Sequence, residues 1–287
     1  MRGFAAAGST VPDRFARWSS SSHGSPRDSD GQRGARDSLQ PVTVTRNTGP
    51  AGRPDWATEA RLVTVICCNE TTASPRPAGR PTRDGKGADV EPSVSVLHWF
   101  DFICPFCYVG QQRDDILERR GLDVVHLPFQ IHPEIPDGGV EAGPRNGPMY
   151  AALEREAAAA GLALNWPERL PNTRRALAAA EWIRLHQPAV SGDFNKALFA
   201  ARFVHGEEIG DRAVVEQHAG RVGVDLEALR AALDDGTALA ALAESESLGV
   251  RLGVRATPTW LIGGEVVSGL LPQAEFERLA EKAISRA

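Results

Sequence analysis

The chain has no excess of positive charge: 32 Lys and Arg against 37 Asp and Glu leave a formal net charge of −5 over 287 residues. A nucleic-acid-binding domain normally shows a basic footprint, so no DNA or RNA partner is expected. Long apolar runs are missing too. No window reaches the ~18 consecutive apolar residues that span a bilayer, and the start, MRGFAAAGSTVPDRFARWSSSS, is too short and broken in its apolar part for a signal peptide. No membrane partner is expected, and cytoplasmic is the default localisation. Cysteine is scarce, with 4 residues. That is too few to staple a secreted scaffold of this length, so a close C-x-x-C points instead to catalysis or metal binding. What is present, 42% hydrophobic residues, suffices for the core of one large domain or two small ones.

Composition divides the chain near residue 93. Residues 1–93 are rich in Ser, Arg, Gly, Pro and Asp, as in WSSSSHGSPRDSDGQRGARDS, and are expected to form a disordered leader. Within it, ARLVTVICCNE (Ala60–Glu70) could form an isolated short strand. Ordered-looking sequence begins so abruptly at Val94 that a start codon placed too early is a further hypothesis, which intact mass of the protein from its native host would decide.

From there the pattern changes. VSVLHWFDF (Val94–Phe102) reads as a buried strand, and FCYVGQQRDDILERR as a helix entered at Pro105 and ended by Gly121. LDVVHLPFQIHP (Leu122–Pro133) reads as a second strand, completing a βαβ unit. Six helical pieces follow within 145–253, most opened by Asn, Asp or Thr and several closed by Gly; their unequal lengths and spacings argue against a repeat. Strand character returns in PTWLIGG and EVVSG, a hairpin turning at Gly263-Gly264, before a last helix from Pro272.

The pair Cys104-x-x-Cys107 sits where the first strand runs into its helix. Thiol–disulfide exchange needs a thiolate at neutral pH, which an ordinary cysteine of pKa ~8.5 supplies poorly. A helix N-terminus, with its free N–H groups and dipole, favours that charge. Cys104 is therefore the expected attacking thiol and Cys107, one turn on, the resolving thiol. Pro105 and Phe106 between them offer no polar hydrogen, so an intermediate redox potential is expected. A zinc half-site and a pair of inert buried thiols are the alternatives; a closed zinc site needs about four ligands, and His126 and His132 in the next strand come with no second close pair. Asp101 either tunes the site or simply closes the strand as a polar residue.

FDFICPFCYVG resembles the active-site segment of the DsbA family, and especially its soluble bacterial branch related to 2-hydroxychromene-2-carboxylate isomerases. VRATPTWLIGG resembles the loop that carries a cis-proline, here Pro258. LPFQIHPEIP resembles the second strand and its exit, while PNTRRALAAAEW and ALFAARFVHGEEIGD resemble the helical insertion. The resemblance covers roughly Val94–Ala287. It implies an α/β thioredoxin-like fold whose halves, 94–135 and 254–287, flank an all-helical insertion at 145–253. It also implies a cis Thr257–Pro258 bond whose backbone pairs with an extended substrate. Phe106 stands where many relatives carry Trp, and a histidine often found after Asn172 is missing, which bears on substrate preference.

The catalytic set expected is Cys104, Cys107 and Pro258, with Thr257, Phe106, Pro105, His132 and Asn172 touching substrate. Asn172 is equally suited to capping a helix. Trp182, Phe199 and Phe203 could form an apolar groove but at helical spacing fit the core better, and Trp260 is expected inside the sheet. No metal or tightly bound cofactor is expected; glutathione is a candidate co-substrate. Partners would be protein or small thiol and disulfide compounds, with oligomeric state unread. Thiol–disulfide oxidoreductase is the leading function. A glutathione-dependent isomerase or transferase, whose relatives usually carry serine at the first position, and a redox-switched binding module are the alternatives.

Overall fold

A computed structural model of the chain describes residues 95–286. The expected disorder of the leader, the strand at Ala60–Glu70 and the early-start hypothesis concern residues outside that range.

β1 (Ser95–Phe100) is buried from its second residue onward, as its run of large apolar side chains requires of a central strand. It pairs in parallel with β2 (Asp123–Pro128) across the connecting helix α1 (Pro105–Arg119). On its other side it pairs antiparallel with β5 (Thr259–Ile262), which forms a hairpin with β6 (Glu265–Ser268), giving the order β2-β1-β5-β6. Ile262 pairs with Glu265, so Gly263 and Gly264 alone make the turn; their φ values of 54° and 83° are the positive ones that a tight two-residue hairpin turn demands.

Alternation along β1 decides which layer each side chain joins. Val96 packs with Trp260, Ile262 and Val267 against α1 and α8 (Gln273–Ile284). Leu97 and Trp99 face the other way, onto Leu248 of α7 (Thr237–Arg251). Gly249 allows that approach, since a Cβ there would lie 2.8 Å from Trp99 Nε1 and 3.1 Å from Phe129.

Between β2 and β5 run α2 (Pro148–Ala159), α3 (Arg174–His186), α4 (Pro188–Phe203), α5 (Arg212–Arg221), α6 (Leu226–Asp234) and α7. The small side chains of RALAAAE bury α3 at the centre of this block, touching α4, α5, α6 and α7. Leu177, Ile183, Phe194 and Leu198 are wholly buried, each worth roughly 1.5–3 kcal/mol. Exposed ion pairs contribute about 0–1 kcal/mol each, so apolar packing holds the block together.

Several boundaries differ from the sequence reading. β1 ends at Phe100 because Asp101–Cys104 form a turn, closed by Cys104 N–H donating to the Asp101 carbonyl at 3.0 Å. β2 ends at Pro128, five residues early, because the next segment bends to donate Ile131 N–H to Asp101 Oδ2 at 2.9 Å. α4 starts at Pro188 rather than Asp193, with proline in the first turn. A two-stranded ribbon, β3 (Val140–Glu141) with β4 (Arg169–Leu170), has no counterpart in the sequence reading. Asp211 and Asp225 do cap α5 and α6 with their carboxylates, whereas Thr237 lies within α7 after Gly236 at φ 83°.

Candidate active site

The turn after β1 places Cys104 at the N-cap of α1, with φ −84° and ψ 112°, and Pro105 in the first helical turn, where its missing N–H is no loss. One turn of helix returns Cys107, whose N–H donates to the Cys104 carbonyl at 3.1 Å. The two cysteines approach to 3.6 Å; both are free thiols and both are buried. Antiparallel pairing of Trp99 with Thr259 brings the loop before β5 alongside. Cys104 Sγ donates to the Thr257 carbonyl at 3.3 Å, and the Thr257–Pro258 peptide is cis, as the family resemblance implied.

The two sulfurs are electrically unequal. Burial pushes the Cys104 thiol up, but hydrogen bonds from the Cys107 side chain and backbone, and from the Thr257 side chain, outweigh it and hold Cys104 below the ordinary cysteine range. Cys107 goes the other way, well above that range, through burial and through the neighbouring Cys104 sulfur. The Thr257 hydroxyl has no other hydrogen-bond partner and is 2% exposed, so its proton is free to point at the sulfur. A buried pair of this kind ionises at one sulfur and keeps the proton on the other.

Asp101 lies beneath this pair with no exposed surface. Burial pushes its carboxyl up to about 6, against hydrogen bonds from Ile131 N–H, the Thr173 hydroxyl and Ile103 N–H. Its charge, when present, disfavours the Cys104 thiolate. The sequence showed Asp101 three residues before the first cysteine. Beside the local Ile103 N–H, its donors come from residues 131 and 173, which no local pattern links to it.

The other expected residues are dispersed. Pro105 and Phe106 are partly exposed beside the sulfurs. His132 Nδ1 lies 3.0 Å from Glu134 and its ring acts on Asp101 through space. Asn172 commits its amide to the scaffold: Oδ1 accepts from Arg174 N–H at 2.8 Å and Gln130 Nε2 at 3.1 Å, and Nδ2 donates to the Ile135 carbonyl at 2.6 Å. Phe199 is 3% exposed and Phe203 2%; they pack on Tyr108 as core, and Trp182 stacks on His186. Trp260 is wholly buried against Phe276. A cavity of about 370 Å³ bordered by Asn172, Arg174, Arg175 and Arg212 contains neither cysteine. Arg174 is paired with Glu246 at 2.6 Å and Arg212 with Glu216 at 2.6 Å, so little of that cationic charge is uncompensated.

A four-stranded mixed sheet, a cysteine pair at the N-terminus of the helix after its first strand, and a cis-proline loop facing that pair define a thioredoxin-like protein. The chain belongs to the DSBA-like thioredoxin domain family, whose sequence model matches residues 95–281. It is similar to YwbO of Bacillus subtilis (strain 168), with 23% identity over 193 residues, covering 65% of this chain and 95% of that protein. Among solved structures it is similar to the probable DsbA oxidoreductase SCO1869 from Streptomyces coelicolor, with TM-score 0.60 and 24% identity over 67% of this chain and 91% of that one. It also resembles a 2-hydroxychromene-2-carboxylate isomerase, with TM-score 0.54 and 23% identity over 67% of this chain and 95% of the other. Both structural likenesses speak for the fold. No helix among the described residues is long and apolar enough to cross a membrane.

Proposed function

We propose that the protein is a thiol–disulfide oxidoreductase working through Cys104 and Cys107. The observation that carries this reading is the opposite displacement of the two thiols: Cys104 is held low and Cys107 high, with the sulfurs close enough to bond. The Cys104 thiolate attacks one sulfur of a substrate disulfide, forming a mixed disulfide and releasing the other sulfur as a thiolate that takes up a proton. Cys107, giving up its proton, then attacks Cys104. The second substrate sulfur leaves as a thiol, and the enzyme holds a Cys104–Cys107 disulfide. Two electrons have passed to the substrate; the reverse sequence oxidises a dithiol. Asp101, with its carboxyl raised to about 6, would serve as the acid–base group that exchanges the proton Cys107 must lose.

Substrates would be protein or small-molecule disulfides laid along the Thr257–Pro258 edge, with Pro105 and Phe106 at the mouth. Glutathione enters as a co-substrate able to form the same mixed disulfide, in the reducing cytoplasm that the few cysteines suit. The test is equilibration in glutathione redox buffers followed by alkylation and mass spectrometry. One reversible intramolecular disulfide with a potential between about −270 and −120 mV is expected, and Cys104→Ser should lower exchange by at least about a thousandfold. Absence of that disulfide would overturn the reading and turn attention to glutathione-dependent isomerisation.

A further inference from the structure

Ten residues after Cys104, about 15 Å further along the same helix, α1 carries another buried polar group. Asp114, 3% exposed, meets two histidines that are direct partners across β1 and β2. Its Oδ2 lies 2.9 Å from His98 Nδ1 and 3.1 Å from His126 Nε2, while Oδ1 accepts from Trp260 Nε1–H at 2.7 Å. One atom from each of the three residues, His98, Asp114 and His126, lies within 4.8 Å of the others.

A divalent ion about 2.0–2.2 Å from nitrogen and oxygen ligands separates neighbouring ligand atoms by roughly 3.0 Å at right angles and about 3.4 Å at the tetrahedral angle. The two carboxylate–imidazole spacings fall within a few tenths of an ångström of that range, and the two ring nitrogens, within 4.8 Å of one another, would close on the ion by side-chain rotation. The cluster borders a cavity of about 70 Å³, also lined by Asn195, Glu118 and Lys196. That is room for about two water-sized ligands at ~30 Å³ each. Two atoms of its lining are buried with no hydrogen-bond partner, His98 Nε2 and Asn195 Oδ1, on residues 2% and 7% exposed. Unpaired buried acceptors are costly, and a metal-bound water in the cavity would give Asn195 a donor.

We propose that His98, Asp114 and His126 form a binding site for a divalent first-row transition-metal ion, of which zinc is the probe, separate from the cysteine pair. Two imidazoles and one carboxylate suit zinc, iron or cobalt rather than magnesium or calcium. The Trp260 N–H holds the second carboxylate oxygen, an outer contact of the kind that orients metal ligands. Three protein ligands leave a position open toward the cavity, and Glu118 offsets the nearby Lys196. Occupied, the site would tie the helix carrying the cysteines to both parallel strands. The expectation of no metal rests on the cysteines; this cluster draws on three elements and leaves no spacing motif in the sequence.

The experiment uses the full-length chain carrying C67S, C68S, C104S and C107S, so that no thiolate competes. Cobalt is titrated and followed by its visible absorption, zinc is used to displace it, and stoichiometry is read by equilibrium dialysis. One ion per chain is expected, with affinity weakened at least tenfold in His126→Gln and in Asp114→Asn and unchanged within twofold in His205→Gln, an exposed control. Zinc should also raise the melting temperature of the parent in a concentration-dependent way. Lack of saturable binding, or equal binding by the His126→Gln and His205→Gln proteins, overturns the proposal. Should Asp114→Asn fail to fold, the His126 variant decides, because that side chain is about a quarter exposed. Should that variant fail as well, a parent melting temperature indifferent to zinc overturns the proposal.

Discussion

Asp101 and Asp114 are carboxylates buried to nearly the same extent, one just before α1 and one within it, yet they hold their protons on opposite terms. Burial pushes both up. For Asp101 only two backbone N–H groups, a hydroxyl and a distant imidazole oppose it, and the carboxyl settles at about 6. For Asp114 two imidazoles in direct contact overcome the burial and hold it well below the usual carboxylate range. Cys104 and Cys107 repeat the contrast over 3.6 Å. Depth of burial sets the cost of a charge in this protein, and the partners decide whether that cost is met. The end of α1 that carries the cysteine pair is the end where it is met only in part.

The largest effect should come from deleting the well-partnered carboxylate. Asp114→Leu leaves two imidazoles and an indole N–H without their acceptor, and urea unfolding should show a loss of about 3–5 kcal/mol. A loss under 1 kcal/mol would mean that the cluster contributes little to the fold.

Asp101→Asn sharpens the other half of the comparison. Asp101 has a native pKa raised from 3.8 to about 6, so the native state binds its proton more tightly than the unfolded chain. Its stabilising contribution is complete below about pH 4 and is lost as pH rises through about 6. A tenfold difference in proton affinity between the native and unfolded states is worth ~1.4 kcal/mol. Relative to Asp101→Asn, the parent should therefore lose about 3 kcal/mol between pH 4 and 7.5. Parallel pH profiles for the two proteins would remove Asp101 as a strained acid. His132, whose ring acts on Asp101 through space, belongs in the same series as His132→Gln, which should raise the Asp101 pKa slightly.

The smallest effect concerns the sulfurs. Thr257→Val removes one hydroxyl donor, worth about 1 kcal/mol, so the iodoacetamide rate of Cys104 at pH 7 should fall by up to about fivefold. Asp101→Asn should change that rate in the opposite direction, because it removes a nearby negative charge. Equal changes of the same sign would show that the two residues act only through packing.

Much of the architecture was legible in advance. SVLHWF, the helix opened by Pro105, the Gly263-Gly264 turn and the six helical pieces all declare themselves through local spacing and terminal residues. Cys104 and Cys107 were legible because their partnership spans a single helical turn. The premature end of β2 was not legible, because it follows from a hydrogen bond of Ile131 to Asp101 that joins distant segments, whereas β1 ends in a local turn that the apolar run through Phe102 concealed. Asn172 showed both of its readings in the sequence, and its three hydrogen bonds in the fold are to scaffold groups. The aromatic side chains of α4 could equally line a groove or fill a core until α1 and β1 are placed against them.

The sequence by itself determined the order of the main elements and the thiol pair, because periodicity, capping and a three-residue spacing act within one or two turns of chain; the proline that faces the pair was implied by the family resemblance. Tertiary structure alone decided which buried groups carry charge. The donors of Asp101 come from residues 103, 131 and 173, and those of Asp114 from 98, 126 and 260. Electrostatic energy depends on distance through space and on the exclusion of water, and neither quantity exists until the chain has closed around the site.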